Sequence, residues 1–138
     1  MLDGDRVLLA RRGHSPWLGG WGSPGGFCDP GEHPIDTAMR EVLEETGFHV
    51  EITGYLGVWV DEYSDAPGID GNETINVGYY VARPVGDGSD LSGFDPTEVS
   101  ELAWFPLDDL PEPLAPPVTL ASVLEALHRW DGSAPLDR

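Results

Sequence analysis

The sequence predicts an α/β domain, a β-sheet covered by helices, as one unit over residues 1–138. Three observations lead there. Segments of alternating apolar residues are interleaved along the chain with segments of helical period. The 138 residues suffice for one sizeable core and are too few for two ordinary ones. Forty per cent of the chain is apolar and five residues are tryptophan, a composition that folds rather than stays disordered.

The elements follow in order. "RVLLARR" (6–12) reads as a strand, preceded by "DGD", a hairpin-type turn. "GHSPWLGGWGSPGG" (13–26) reads as loop, dense in Gly, Pro and Trp. "HPIDTAMREVLEET" (33–46) reads as the first helix, with His33 at the N-cap, Pro34 at the first helical position and Asp36 near the positive helix end. Gly47 stops it. Strand signals follow at 49–53, 55–60 and 74–83, the last placing Ile75, Val77, Tyr79 and Val81 on one face. Polar loops run over 61–73 and from Gly86 to about Glu98. "ELAWFPL" (101–107) reads as a short strand entering a Pro-rich turn. "VTLASVLEALHRW" (118–130) is an amphipathic helix with Leu120, Val123, Leu124 and Leu127 on its core side.

Charge narrows the function. There are 25 acids against 7 bases, all of them arginine, for a net charge of -18. Such a chain is repelled by a DNA or RNA backbone and by an anionic membrane surface. A phosphate ligand would need a divalent metal between it and the acids. The absence of lysine fits a GC-rich genome and a salt-adapted host equally well. Cys28 is the one cysteine, so no intramolecular disulfide forms. With no signal-peptide or membrane-span pattern, a soluble cytoplasmic protein is expected.

"REVLEETG" (40–47) crowds three glutamates onto one helix. At about 100° per residue, Glu41, Glu44 and Glu45 fall within roughly one 100° sector. Ile35, Ala38, Met39, Val42 and Thr46 form a separate face suited to packing on a sheet. Like charges so placed repel. A hard cation such as Mg²⁺, which takes oxygen ligands directly and through water, offsets the repulsion. From "EVLEE" alone, a solvated acidic face is the more frequent explanation.

The surrounding residues reverse that preference. "GFCDPGEHPIDTAMREVLEETGF" (26–48) resembles the signature of the Nudix hydrolase family. Gly26, Glu32, Arg40, Glu41, Val42, Glu44, Glu45, Gly47 and Phe48 fill each of its fixed positions. "RVLLARR" and "WGSPGG" before the box and "ELAWFPLDDLP" (101–111) after it are similar to the rest of such a domain, with less specificity. The resemblance implies a Nudix-type α-β-α sandwich with a mixed sheet. It also implies a metal site made by Glu44, Glu45, Glu41 and the backbone carbonyl of Gly26 or Gly25. Glu41 is then a ligand or the general base, and Arg40 and Glu32 are orienting partners. Gly47 permits the helix end. The metal expected is Mg²⁺, with Mn²⁺ as a substitute.

The implied reaction is hydrolysis of a phosphoanhydride in a nucleoside diphosphate linked to another group, of the ADP-ribose or dinucleotide type. The alternatives are a house-cleaning nucleoside triphosphate pyrophosphatase acting on oxidised nucleotides and a non-catalytic nucleotide sensor. The partner expected is a small nucleotide, not a nucleic acid polymer or a membrane. Some family members take the base from a later loop; Glu98 and Glu101 are the candidates here, with Glu73 behind them and plain surface charge as the competing reading. Arg12 is the candidate phosphate clamp. Trp21 is the first candidate for stacking on a base, ahead of Trp17, Tyr63 and Tyr80, with core packing as the alternative. Trp59 and Trp104 are expected in the core. No role is expected for Cys28 or for His14, His33, His49 and His128.

The front of the chain departs from the family pattern. Only Met1 and Leu2 stand where a strand normally pairs with "RVLLARR". A truncated first strand would leave an open apolar edge at residues 7–10, and a second copy of the chain is expected to cover it.

Overall fold

The computed structural model describes residues 1–62 and 74–132. The strands are β1 (Leu2–Asp3), β2 (Arg6–Arg12), β3 (Trp21–Gly22), β4 (Val50–Glu62), β5 (Thr74–Pro84) and β6 (Val99–Pro106); the helices are α1 (Pro34–Thr46) and α2 (Pro117–Arg129). β2 is the axis of one sheet. β6 runs antiparallel along one of its sides, while β1 and β3 share the other. β4 and β5 form a long antiparallel pair. Among the described residues, the one parallel link is a bridge between Trp21 and Leu114.

"VLLA" explains the layering. Val7, Leu8, Leu9 and Ala10 are 2%, 0%, 0% and 6% exposed, so β2 is buried on both faces. Val7 and Leu9 join Leu120, Val123, Leu124 and Leu127 of α2 in one cluster. Leu8 and Ala10 join Val42 of α1, Phe48, Val99 and Leu102 in another. Alternation along one strand thus divides the core between two helices, giving the sandwich expected.

Three expectations about local structure are corrected. The apolar edge at residues 7–10 is not open. Leu2 and Asp3 pair with Val7 and Arg6, Leu8 N–H donates to Met1 O at 2.9 Å, and Gly22 and Trp21 pair with Ala10 and Arg11. Two short strands therefore do what one long strand would, and no second copy is needed to cover this edge. The segment 13–26 is not all loop, because it contains β3. The signals at 49–53 and 55–60 belong to one strand with register shifts at Ile52/Gly54 and Tyr55/Gly57. Glycine absorbs the irregularity there without ending the ladder.

Candidate active site

α1 is built as the sequence implies. His33 has extended backbone geometry and its Nδ1 accepts from Ile35 N–H at 3.1 Å. Pro34 follows as the first helical residue. Gly47, at φ 79°, closes the helix in the left-handed region with its N–H on Leu43 O. Ile35, Thr37, Val42 and Thr46 are buried. That fixes the rotation of the helix and turns Glu41, Glu44 and Glu45 to the other side.

Arg40 organises this face. Its Nε and Nη2 grip Glu32 at 2.9 and 2.8 Å, a two-pronged pairing that fixes both planes. Its Nη1 reaches Glu41 at 2.9 Å and Glu44 at 3.3 Å, and Nη2 also donates to Phe27 O at 3.2 Å. Thr37 Oγ1 and Asp29 N–H add bonds to Glu32 Oε1 at 2.7 and 3.1 Å. The Arg40 pairing, then Thr37, then Asp29 hold the Glu32 carboxyl down at about 2. Glu32 is therefore an anchor that stays ionised.

Glu45 is placed differently. Burial pushes its carboxyl up to about 7, with the charges of Glu41 and Glu98 adding to the rise. The Gly25 N–H, 3.2 Å from Oε2, and the nearby Arg12 oppose it. Gly26 lies so close to Glu41 that a Cβ there would sit 2.5 Å from the carboxyl carbon. A side chain at this position would push the Glu41 carboxylate away from where Arg40 holds it.

The donor set suits a hard divalent ion: carboxylate oxygens on one helix face, a glycine backbone against them, and one carboxylate lifted by burial. The carboxylates are not closed into a cage. Among the described residues no three acid, His or Cys side chains are gathered as a metal cluster. Arg40 holds Glu41 and Glu44 instead, and Glu45 stands on the Gly25 N–H.

The remaining candidates divide. Glu98 comes to the site, close enough for its charge to act on Glu45. Glu101 does not; it lies opposite Arg11 on β6, 3.8 Å from that guanidinium. Glu73 and Tyr63 lie outside the described residues. Arg12 donates its Nε to Pro16 O at 2.6 Å, so it folds the loop after β2 as well as facing Glu45. Trp21 is 8% exposed and packs edge-on against Phe105, 4.9 Å between centroids. Its ring is in the core and not open for stacking, because β3 seats it against β2. Trp17 is half-buried. Tyr80 lies 5.1 Å from Tyr55 on the β4–β5 pair. Trp59 and Trp104 pack against the two core clusters as expected.

Sequence reasoning passed over His14. Its Nε2 is 2.7 Å from Glu98 Oε2, across 84 residues of chain. Helical or strand periodicity gives no signal for such a contact.

Comparison with known proteins places this arrangement. The NUDIX domain model matches residues 1–127. The chain is 32% identical over 139 aligned positions to the 8-oxo-dGDP phosphatase NUDT18 of Homo sapiens, covering 96% of this chain and 38% of that protein. It spans about half or less of the length of several curated relatives it matches. Among solved structures, a MutT NUDIX hydrolase from Burkholderia pseudomallei superposes with a TM-score of 0.67 at 28% identity, covering 92% of each chain. An ADP-ribose pyrophosphatase from Streptococcus suis 89-1591 gives a TM-score of 0.62 at 28% identity, covering 94% of this chain and 87% of that one. With the box in place across α1 and the loop before it, and the match running through β6 into α2, the chain belongs to the Nudix family.

Proposed function

We propose that this domain hydrolyses the phosphoanhydride of a nucleoside diphosphate joined to a second group, with ADP-ribose as the representative substrate. The observation that carries this reading is the acidic face of α1, fixed by Arg40 and backed by the glycine loop at 25–26. Nudix hydrolases generally use divalent metal ions. Glu41, Glu44 and Glu45, with a carbonyl of Gly25 or Gly26, would hold Mg²⁺, or Mn²⁺ in its place. A bound ion of this kind neutralises phosphate oxygens and lowers the pKa of water.

The chain's own residues supply the rest. Arg40 keeps Glu41 and Glu44 in fixed rotamers through its contacts at 2.9 and 3.3 Å. Arg12 brings a cation to the same side as Glu45 and offers a phosphate the N–H groups that Pro16 does not use. The base that takes the proton of the attacking water is Glu98 or Glu41. Glu98 is favoured, because Glu41 is engaged by Arg40 and Glu98 has no arginine on it among the described residues.

A second reading, hydrolysis of oxidised guanine nucleotides, is favoured by the likeness to the human 8-oxo-dGDP phosphatase. One screen separates them. Phosphate or nucleoside monophosphate release is measured with Mg²⁺ over ADP-ribose, NADH, 8-oxo-dGDP and 8-oxo-dGTP. The proposal expects ADP-ribose or NADH to turn over fastest. A clear preference for the oxidised nucleotides would select the second reading, and no turnover of any of them would refute both. Among the described residues no helix is long and apolar enough to cross a membrane.

A further inference from the structure

The stretch between β5 and β6 is held against the box helix and the loop after β2. Asp95 N–H donates to the Glu45 carbonyl at 3.2 Å, and Gly93 packs directly on Gly47. Gly13 N–H donates to the Glu98 carbonyl at 3.0 Å. The backbone of Glu98 is thus tied to the loop that carries His14, while its side chain acts on Glu45. A glutamate side chain still has three rotatable bonds, and backbone ties leave its carboxyl free to swing.

His14 removes that freedom. Its Nδ1 lies 2.8 Å from Ser15 O, and its Nε2 lies 2.7 Å from Glu98 Oε2. A carbonyl only accepts, so Nδ1 carries a proton and donates it to Ser15. The ring plane is then set, and one proton on the Nε2–Oε2 line bonds the ring to the carboxyl. Among the described residues no other side chain bonds to Glu98. Oε2 is therefore engaged and Oε1 is the oxygen left to act.

We propose that His14 is a positioning residue for the hydrolysis: it fixes Glu98 beside Glu45 by one oxygen and leaves the other to take the proton of the attacking water. This rests on the reading of Glu98 as the base. The step balances. The water O–H bond breaks, its proton goes to Glu98 Oε1, and the oxygen bonds to phosphorus. The bridging P–O bond then breaks, and its electron pair leaves with the departing phosphate.

The test is a double-mutant cycle on the intact chain with Mg²⁺, using whichever of ADP-ribose, NADH, 8-oxo-dGDP and 8-oxo-dGTP turns over fastest. Glu98→Gln should lower kcat by about two orders of magnitude. His14→Ala should lower kcat by about tenfold with KM within about twofold, as expected for a misplaced base. His14→Gln, which can still donate to Glu98, should recover most of that loss. In the Glu98→Gln background, His14→Ala should add nothing further. An unchanged kcat in His14→Ala beside a large loss in Glu98→Gln would overturn the role of His14 and leave the base standing. An unchanged kcat in Glu98→Gln would overturn both. Independent losses in the double variant would show that His14 does not act through Glu98, and so overturn the proposal. A second readout needs no turnover: Glu98→Gln should move the ¹⁵N resonance of His14 Nε2, and a resonance that stays put would overturn the contact itself.

Discussion

The two helices begin alike and end as opposites. Each has 13 residues, each starts on proline, and each packs on one face of β2. α2 buries Leu120, Val123, Leu124 and Leu127 and has no side-chain cap. Outside the core its contacts are a loose pair between Glu125 and Arg129 at 3.5 Å and a hydrogen bond that Ser122 accepts from Trp59 at 3.1 Å. α1 buries a more polar set that includes two threonines, is capped at both ends, and gives its outer face to three charged side chains joined through Arg40. Packing is the main support of α2. α1 carries repulsive charge and needs His33, Gly47 and Arg40 to hold its shape. Local support of this kind is what the proposed site requires, because its acidic face has to be held against its own repulsion.

The comparison is sharpest where activity and stability part. Glu44→Gln should cut turnover by roughly two orders of magnitude or more, because the amide keeps the shape and loses the charge that holds a metal. Its thermal midpoint without metal should not fall. Normal folding with near-normal Mg²⁺-dependent kcat would remove Glu44 from the site. On α2 the reverse is expected. Leu120 is fully buried, and Leu120→Ala should cost about 2–5 kcal/mol of stability with kcat per folded molecule unchanged. Denaturant unfolding beside active-site titration checks both halves. A fall in kcat per folded molecule would mean that α2 also shapes the site.

Much of this contrast was legible beforehand. The apolar period of 118–130 placed all four buried α2 residues, and the cap signals placed α1 to the residue. The box named the acidic face because its spacing is local, and helix geometry converts local spacing directly into position. What escaped was set by contacts across the chain. No pattern around His14 points to Glu98, 84 residues away. Trp21 looked available because its neighbours are Gly and Pro, yet pairing with β2 and Phe105 draws it into the core. The edge of β2 looked open because two-residue strands leave no periodicity to read. Arg40 was expected to orient its neighbours, but not to join Glu41 and Glu44 through one nitrogen.

That joint function gives a smaller effect to measure. Arg40→Lys keeps the charge but cannot make the two-pronged bond to Glu32 while also reaching Glu41 and Glu44. kcat should fall by about tenfold, the loss expected when the support behind ligands or catalytic groups is loosened. The Mg²⁺ concentration for half-activation should rise. Wild-type kinetics in this variant would show that the geometry of α1 is kept by the backbone alone.

The smallest expected effect concerns Glu45 without metal. Its carboxyl is raised to about 7 in the folded protein by burial, against an ordinary value of 4.5. Below about pH 4.5 it is protonated in both states and contributes nothing to the balance. As pH rises from there to about 7, the unfolded chain ionises while the folded one holds its proton, so folding becomes less favourable. Above about 7 the penalty is complete. The carboxylates held low, Glu32 and the loop residues Asp87, Asp90 and Asp95, work in the opposite sense, but their contribution is already gained below that window. Comparing wild type with Glu45→Gln from pH 5 to 8 in chelator cancels the other groups, the buried Met1 ammonium among them. The variant should gain on the wild type as pH rises, by a few degrees in Tm. Adding Mg²⁺ at constant ionic strength should raise the wild-type midpoint most at the high-pH end, where the ion has an ionised carboxylate to bind. A parallel pair of pH profiles, unmoved by Mg²⁺, would mean that Glu45 carries no raised carboxyl and that the acidic face of α1 is as passive as the outer face of α2.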